Sequence, residues 1–387
     1  MMHIGNTINA VQTSIIPVIG EWTRNTPGTL SLGQGMVSYP PPSSALKYIQ
    51  DFGLLPEHHL YGSPLGYEPL LQSLATKLNH ENGITLKSGN RLMVTAGSNM
   101  AFLNVLRAIT DPSDEIILPL PYYFNHEMAI RMLNCIPVSV PTDSNYQLQL
   151  EALRGAITNK TRAIVTVSPN NPTGAVYPEV ALRAVNQLCK EHNLYHISDE
   201  AYEYFTYGSV RHFSPASIDG SESHTISLFS FSKAYGFASW RVGYLVFPES
   251  LLTALLKVQD TNLICAPLIT QYAAMGALEI GRVYCRNHVQ QLNKIREQFE
   301  IQINALDKVK VVSTDGAFYL LLKVDTQLND LALAKKLISD YKVAVVPGSA
   351  FGLHEGCYLR VSYGMLDEDA CVIALDRLIS GIKLLNL

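Results

Sequence analysis

The 387-residue sequence lacks the features that mark membrane, secreted or nucleic-acid-binding proteins. No run reaches the roughly 18 consecutive apolar residues of a transmembrane helix, and no basic stretch followed by an apolar run opens the N-terminus. The 29 Lys and Arg residues are scattered and balanced by 33 acidic residues, so no basic patch predicts binding to nucleic acid. We therefore expect a cytoplasmic protein that acts on small molecules.

Cysteines are few, and their spacing predicts no metal site. The sequence has neither a Cys-x-x-Cys pair nor a His grouping at metal-ligand spacing. We interpret the cysteines as buried or incidental thiols in a reducing compartment. The sequence also lacks a Gly-x-Gly-x-x-Gly segment between a strand and a helix, which argues against a nicotinamide-dependent dehydrogenase.

What the sequence does contain is enough apolar material for two domains. Hydrophobic residues make up 47% of the chain, and its length exceeds the roughly 250 to 300 residues that one core supports. Between residues 91 and 258, apolar runs of strand length alternate with helical patterns, which predicts an α/β fold with a mostly parallel sheet between helices. We predict an N-terminal arm (1–40) that joins the small domain or a subunit contact, a large domain (41–285) and a small α+β domain (286–387).

Loops that follow the predicted strands carry the candidate site residues, because ligands of open α/β sheets bind at the carboxyl ends of the strands. In TAGSNMA (95–101), Gly97, Ser98 and Asn99 lie at a helix N-terminus, where free N–H groups can hold a phosphate. Ser98 and Asn99 could instead only cap that helix. SPNNPTG (168–174) follows another strand and could be either a site loop or a plain tight turn.

Two charged residues stand at the ends of apolar strands. Asp199 lies three residues before Tyr202, and a partly buried carboxylate there needs a cationic partner or good hydrogen bonds unless it is a helix N-cap. Lys233 lies in SFSKAYGFASWRVGY (230–244), at the rim of an expected pocket, where a lowered pKa would make it a lysine that attacks carbonyl groups. The alternative is a surface lysine beside a glycine turn.

Three further residues of the same stretch and one near the C-terminus are candidates for binding anions. Ser230, Ser232 and Arg241 surround Lys233 with groups that can hold a phosphate. In CYLRVSYG, the alternation of a strand points Arg360 away from the apolar face. Arg360 could be solvated, or it could bind a carboxylate through both arms of its guanidinium.

In their order and spacing, these segments resemble the class I and II aminotransferases, fold-type-I pyridoxal-phosphate enzymes that include aspartate, aromatic, methionine and kynurenine aminotransferases. The resemblance runs from about Ser31 to the C-terminal helix and is most specific in SFSKAYGFASWRVGY. It implies a seven-stranded large domain, bound pyridoxal 5'-phosphate and a biosynthetic role in amino-acid metabolism. It also implies a ping-pong transfer of an amino group from an L-amino acid to a 2-oxo acid.

The resemblance implies three catalytic residues. Lys233 would hold the cofactor as a Schiff base and move a proton, Asp199 would pair with the pyridine nitrogen, and Tyr202, with Asn171, would bond the phenolate oxygen. The tyrosine on the ring would be Tyr123, with Tyr122 as an alternative. The residues of the phosphate-binding loops would be Gly97, Ser98, Asn99, Ser230, Ser232 and Arg241.

The substrate and a second subunit complete the implied site. Arg360, supported by Asn171, would bind the α-carboxylate of the substrate, and the chain at Gly35 would pass close to the substrate. Tyr61, in LYGSPLG, matches a tyrosine that reaches the phosphate in the neighbouring subunit, which implies a homodimer.

Departures from the family pattern bear on substrate choice. Some bacterial aspartate aminotransferases place a lysine where this chain has Asn99, and no second substrate-binding arginine is identified. The tyrosines at 61, 122 and 319 favour a neutral, aromatic or sulfur-bearing side chain over an acidic one. A carbon–sulfur lyase on the same fold is the alternative reading. A non-catalytic binding protein is a remote one, because such a relative is expected to lose Lys233, Asp199 or Arg360.

Overall fold

The computed structural model describes residues 5–87 and 89–384. Strands β1 to β13 are Leu30–Ser31, Asn90–Thr95, Glu115–Leu120, Ile136–Pro141, Thr161–Val167, Tyr195–Asp199, Thr225–Ser230, Gly243–Pro248, Val309–Val311, Tyr319–Val324, Val343–Ala344, Val346–Pro347 and Cys357–Ser362. Helices α1 to α14 are Asn6–Asn9, Ile15–Asn25, Ser43–Tyr48, Glu68–Asn82, Ser98–Ile109, Phe124–Met132, Leu150–Gly155, Glu179–Glu191, Phe231–Ala234, Leu252–Asn262, Leu268–Ile280, Arg282–Asn304, Asp330–Tyr341 and Glu368–Lys383. In this part of the chain, no helix has the length and apolarity to cross a bilayer.

Seven strands form the large sheet, in the order β2-β8-β7-β6-β5-β3-β4. Strand β8 runs antiparallel to its neighbours β2 and β7, and the remaining pairs are parallel. The predicted mostly parallel sheet is therefore confirmed. Its central strands are continuous apolar runs because helices cover them on both sides, so neither face can be polar.

Alternation along β3 shows the two covered faces. Ile116 and Leu118 pack with α5 residues such as Phe102, whereas Ile117 lies between them in sequence and packs with Val185 of α8. Successive side chains of a strand point to opposite faces, so each layer of helices has its own core. The carboxyl ends of the strands remain uncovered by these layers and are available for a site.

A smaller antiparallel sheet, in the order β12-β13-β10-β9, forms the C-terminal section with α12 to α14. The N-terminal arm is joined to this section, because β1 pairs in parallel with β11 through Leu30↔Val343 and Ser31↔Ala344. The sequence-based boundary at 285/286 falls within the first turn of α12, a continuous helix of 23 residues. This helix also contacts α9, so it connects the C-terminal section to the site.

Candidate active site

A cavity of about 360 Å³ lies at the carboxyl ends of the parallel strands. Twelve of the residues predicted from the sequence line it, and they are Gly35, Ser98, Asn99, Tyr123, Asn171, Asp199, Tyr202, Ser230, Ser232, Lys233, Arg241 and Arg360. Gly97 immediately precedes Ser98. Tyr61 does not line the cavity of its own chain, and its side chain is 82% exposed. Tyr122 lies outside the cavity too, which favours Tyr123 as the ring-contacting tyrosine.

Lys233 is brought to the cavity by strand β7 and the short helix α9. Its Nζ donates a hydrogen bond to the carbonyl oxygen of Gly35 at 2.5 Å, and its own carbonyl accepts one from the Tyr39 hydroxyl at 2.6 Å. Burial lowers the pKa of Lys233 to about 8, with the positive charges of Arg241 and Arg360 adding to the effect. The alternative of a solvated surface lysine is therefore wrong.

This lowered pKa predicts an unusual reactivity. In cofactor-free protein, we expect half-maximal modification of Lys233 by a small amine-directed reagent near pH 8, since only the neutral amine attacks. Modification should rise as the pH passes 8 and level off above it. Peptide mass spectrometry measures the profile, and Lys336, whose pKa is raised by Asp340, is the internal control that should still be rising at higher pH. A Lys233 profile that coincides with that of Lys336 would contradict the prediction.

Asp199 ends strand β6 and is buried. Its Oδ2 lies 3.1 Å from His126 Nε2, and its Oδ1 accepts a hydrogen bond from the Ala201 amide at 3.1 Å. The second contact caps the following turn, so the capping role and the site role coexist. His126 was missed in the sequence, although it stands three residues after Tyr123 in PYYFNHE and thus on the same face of α6.

Tyr202, Asn171 and Tyr319 form a buried hydrogen-bonding group. The hydroxyls of Tyr202 and Tyr319 lie 2.7 Å apart, and Asn171 Nδ2 lies 3.5 Å from the Tyr202 hydroxyl. Burial raises the pKa of Tyr202 well above its ordinary value and that of Tyr319 to about 12, so both phenols are neutral hydrogen-bond donors at neutral pH. The turn reading of SPNNPTG also holds, since Gly174 N donates to Asn170 O at 2.8 Å, and this turn presents Asn171.

One end of the cavity suits a phosphate. Helix α5 begins at Ser98 with Gly97 before it at φ 84°, and no side chain caps it, so the capping alternative is wrong. A Cβ at Gly97 would meet only the movable end of the Arg241 side chain, so the positive φ is what favours glycine there. The Arg241 guanidinium donates to the carbonyls of Ala238 and Ala96. Free amides at a helix N-terminus beside a guanidinium make a site for an anion.

The other end suits a carboxylate. Arg360 is 1% exposed and donates to Asn171 Oδ1 at 2.9 Å and to the Gly33 carbonyl at 2.6 Å, while its Nε has no partner. The rings of Tyr319 and Phe351 flank the guanidinium at 4.7 and 5.0 Å. Within the described residues, no carboxylate forms an ion pair with Arg360. A buried, fixed guanidinium without a counter-ion favours a carboxylate ligand, so the alternative of a solvated Arg360 is wrong.

The family model for aminotransferase class I and II matches residues 27–378. The chain belongs to this family. Members of the family depend on pyridoxal phosphate, so the chain is a pyridoxal-phosphate-dependent aminotransferase. The uncapped α5 terminus with Arg241, the reactive Lys233 and the buried Asp199 fit the phosphate, the aldehyde and the ring nitrogen of that cofactor.

Characterised relatives carry names with different substrates. The aromatic aminotransferase ISS1 of Arabidopsis thaliana is 35% identical, over 92% of this chain and 90% of that protein. An aspartate aminotransferase of Pyrococcus abyssi is 31% identical, over 95% of each chain. The crystal structure of the aromatic aminotransferase from Pyrococcus horikoshii OT3 superposes with a TM-score of 0.86 at 32% identity, covering 94% of this chain and 98% of the other. These names do not by themselves decide the substrate of this aminotransferase.

The N-terminal arm supplies cavity-lining residues that the sequence pattern did not predict. Ser14, Ile16 and Pro17, at the start of α2, line the cavity together with Gln34 and Met36. The segment is irregular and Pro-rich, so no hydrophobic period indicated which of its side chains face inward. The remaining unforeseen lining residues are Phe124, Asn125, Val167 and Ala201.

Proposed function

We propose that this aminotransferase transfers the amino group of a neutral, aromatic or sulfur-containing L-amino acid to a 2-oxo acid by a ping-pong mechanism. The lining of the cavity carries this proposal. Its cations within the described part of the chain are Lys233, Arg241 and Arg360, each with a role in binding cofactor or α-carboxylate. Apolar side chains of the arm and α6 supply much of the rest. A second, distal carboxylate would therefore have no cation of this chain to bind.

Bound pyridoxal phosphate supplies an electron sink for the electron pair that remains when the substrate α-carbon loses its proton. Lys233 would be the residue that holds the cofactor covalently, and its Nζ, once free, would carry the proton taken from the substrate α-carbon. The lowered pKa of Lys233 supports this role, because a larger fraction of its amine is unprotonated near neutral pH than in an ordinary lysine, and about half is unprotonated near pH 8. Asp199, whose carboxylate lies beside His126, would hold the proton of the ring nitrogen, and Tyr202 and Asn171 would donate to the phenolate oxygen.

Substrate binding falls to three groups at the opposite end. Arg360 orients the α-carboxylate through two donors, Asn171 supports it, and the backbone at Gly35 borders the reacting carbon. A carboxylate fixed before proton transfer would orient the α-hydrogen toward Lys233. This lowers the entropic cost of reaching the reactive geometry. The residues that would hold the phosphate are Ser98, Ser230, Ser232 and Arg241, with the amides of Gly97 and Ser98. Asn99 and Tyr123 would border the cofactor ring.

The experiment that tests this proposal follows the cofactor's visible absorption in the holoenzyme during single additions of L-amino acids without any oxo acid. We expect phenylalanine, tyrosine and methionine to convert the cofactor to its amine form, and a 2-oxo acid to restore the original band. Faster conversion by aspartate would overturn the substrate class. Release of pyruvate and ammonia from cystathionine, without an oxo acid, would instead identify a lyase.

Asn99 gives a sharper test of the preference against acidic substrates. In Asn99→Lys, we expect kcat/KM for aspartate to rise about tenfold or more, because an ammonium at the cavity wall can pair with the distal carboxylate. Steady-state kinetics with aspartate and phenylalanine measure the change. Asn159→Lys adds the same charge at an exposed position and is the control. Equal kcat/KM for aspartate in wild type and Asn99→Lys would remove the proposed basis of selectivity.

We further propose a homodimer in which Tyr61 reaches the phosphate of the neighbouring active site. Leu54, Leu55, Leu60 and Tyr61 form an exposed apolar segment between α3 and α4, and such a patch supports a protein contact. The division into an arm (1–40), a large domain (41–285) and a small domain (286–387) is part of this proposal. So are a cytoplasmic location, which the six unpaired cysteines support, and a role in amino-acid biosynthesis.

A further inference from the structure

A second cavity, of about 410 Å³, lies beside the segment that continues from Tyr202. Glu203, Tyr204 and Thr206 form one wall, and none of the residues that line this cavity lines the active-site cavity. Its chemistry is therefore separate from cofactor and substrate binding, although the two cavities share a stretch of backbone.

Basic side chains from two parts of the chain meet in this cavity. Arg282 and Arg286 are four residues apart on α12 and thus lie on one face of the helix. Arg211 and His212 come from the loop between β6 and β7 and line the same cavity. These residues are 70 positions or more apart in sequence, so the fold and not a local motif assembles the group.

The guanidinium groups in this cavity are not neutralised by neighbouring carboxylates. Within residues 5–87 and 89–384, the side chains of Arg211 and Arg282 form neither hydrogen bonds nor ion pairs. Arg286 Nη1 donates to the carbonyls of Tyr204 and Thr206 at 3.0 and 2.8 Å, which fixes its orientation and leaves its other donors available.

Nearby acidic groups are already engaged. The carboxylate of Glu203 is 2.6 Å from Lys77 Nζ, and both side chains are buried. Glu81 accepts a hydrogen bond from the Tyr204 hydroxyl at 2.5 Å, and Glu200 lies 2.8 Å from His212 Nε2. Because Lys77 neutralises Glu203, Glu81 is the one unneutralised carboxylate among the described residues that line the cavity. The three guanidinium groups outnumber Glu81 and the adjacent Glu200, so the cavity carries a net positive charge.

Three like charges around one concave space repel one another, and this repulsion is relieved when a multivalent anion binds between them. Guanidinium groups are suited to this task, since their planar donors match the oxygen pairs of phosphates and carboxylates. We propose that this cavity binds a small polyanion that carries phosphate or carboxylate groups, at a site distinct from the active site.

Isothermal titration of the holoenzyme with inorganic pyrophosphate and, separately, with citrate tests the proposal. Use of the holoenzyme keeps the cofactor's phosphate-binding groups occupied. We expect saturable binding of at least one of the two anions, weakened about tenfold in Arg211→Ala and in Arg282→Ala by loss of charge-assisted hydrogen bonds. Arg282→Lys, which keeps the charge, should weaken binding less. Arg107→Ala, at an exposed position on α5, removes the same charge elsewhere and should leave binding unchanged.

The comparison of the two anions separates phosphate from carboxylate recognition, and either preference supports the site. Absence of binding by both anions would overturn the proposal, as would equal weakening in Arg107→Ala and Arg282→Ala. Binding that survives Arg282→Ala but is lost in Arg360→Ala would place the anion in the active-site cavity and would also overturn it. Transamination by Arg282→Ala without added anion should match wild type, so failure of this site and failure of the proposed function are measured separately.

Discussion

Replacing Lys233 with alanine is expected to lower the rate of transamination by about four orders of magnitude or more, since one side chain supplies both the covalent attachment and the proton transfer. The fold should persist, because the side chain's hydrogen bond is to the Gly35 carbonyl at the cavity and not to the core. Stopped assays with the best amino donor from the panel measure the loss. Lys257→Ala, at an exposed position, is the matched control and should keep wild-type activity.

A chemical readout accompanies the kinetic one. Borohydride reduction of the wild-type holoenzyme should add the mass of the cofactor to the peptide that contains Lys233, and Lys233→Ala should bind cofactor without this mass increase. Normal transamination by Lys233→Ala would contradict the assignment of Lys233 as the catalytic lysine. A mass increase on another lysine in wild type would move the attachment point and also contradict it.

Replacement of Arg360 has the second-largest expected effect. In Arg360→Ala, we expect kcat/KM for the amino donor to fall about 10²- to 10³-fold, because a buried, charge-assisted contact with the α-carboxylate is lost. Most of the loss should appear in KM. The amine that corresponds to the donor but lacks the carboxylate should react at the same rate with wild type and variant, which separates lost recognition from a damaged fold.

Arg360→Lys refines this test. It retains a positive charge but not the two-armed geometry that now spans Asn171 Oδ1 and the Gly33 carbonyl. We therefore expect an intermediate kcat/KM, closer to Arg360→Ala than to wild type. If Arg360→Ala reduces the rate with the amine as much as the rate with the amino acid, Arg360 supports the structure of the site and does not bind the carboxylate.

Much of the fold and the site could be predicted from the sequence, for reasons that particular segments make clear. Strands such as β7 and β8 are buried throughout, so they contain no charged residues and appear in the sequence as short uncharged runs rich in apolar side chains. Asp199, which ends β6, and Lys233, which follows β7 in α9, must then lie at one edge of the sheet, because β6 and β7 are parallel. Their roles could be predicted because a charged group at the end of an apolar strand is costly to bury unless a partner or a ligand compensates its charge.

Other parts of the site could not be predicted, because no local sequence pattern indicated that their residues reach the cavity. Ile16 and Met36 line the cavity from an arm that is joined to the C-terminal section by the pairing of β1 with β11, between residues more than 300 positions apart. The cavity lined by Arg211 and Arg282 also depends on residues that are far apart in sequence, by about 70 positions. His126 is the exception, because its helical spacing from Tyr123 could have shown that it shares the cofactor-facing side of α6.

The carbonyl groups of Gly33 and Gly35 lie two residues apart on the arm, and each accepts a hydrogen bond from one cation of the site, Arg360 and Lys233 respectively. The two carbonyls of the arm therefore compete with any ligand of the cavity for the hydrogen-bond donors of Lys233 and Arg360. Attachment of a group to Lys233 Nζ reduces the number of hydrogens that it can donate to Gly35, and a carboxylate that takes the Arg360 donors displaces Gly33. Leu32 N, between Gly33 and β1, donates to the Ala344 carbonyl, so the carbonyls that contact both cations belong to a segment anchored on β11.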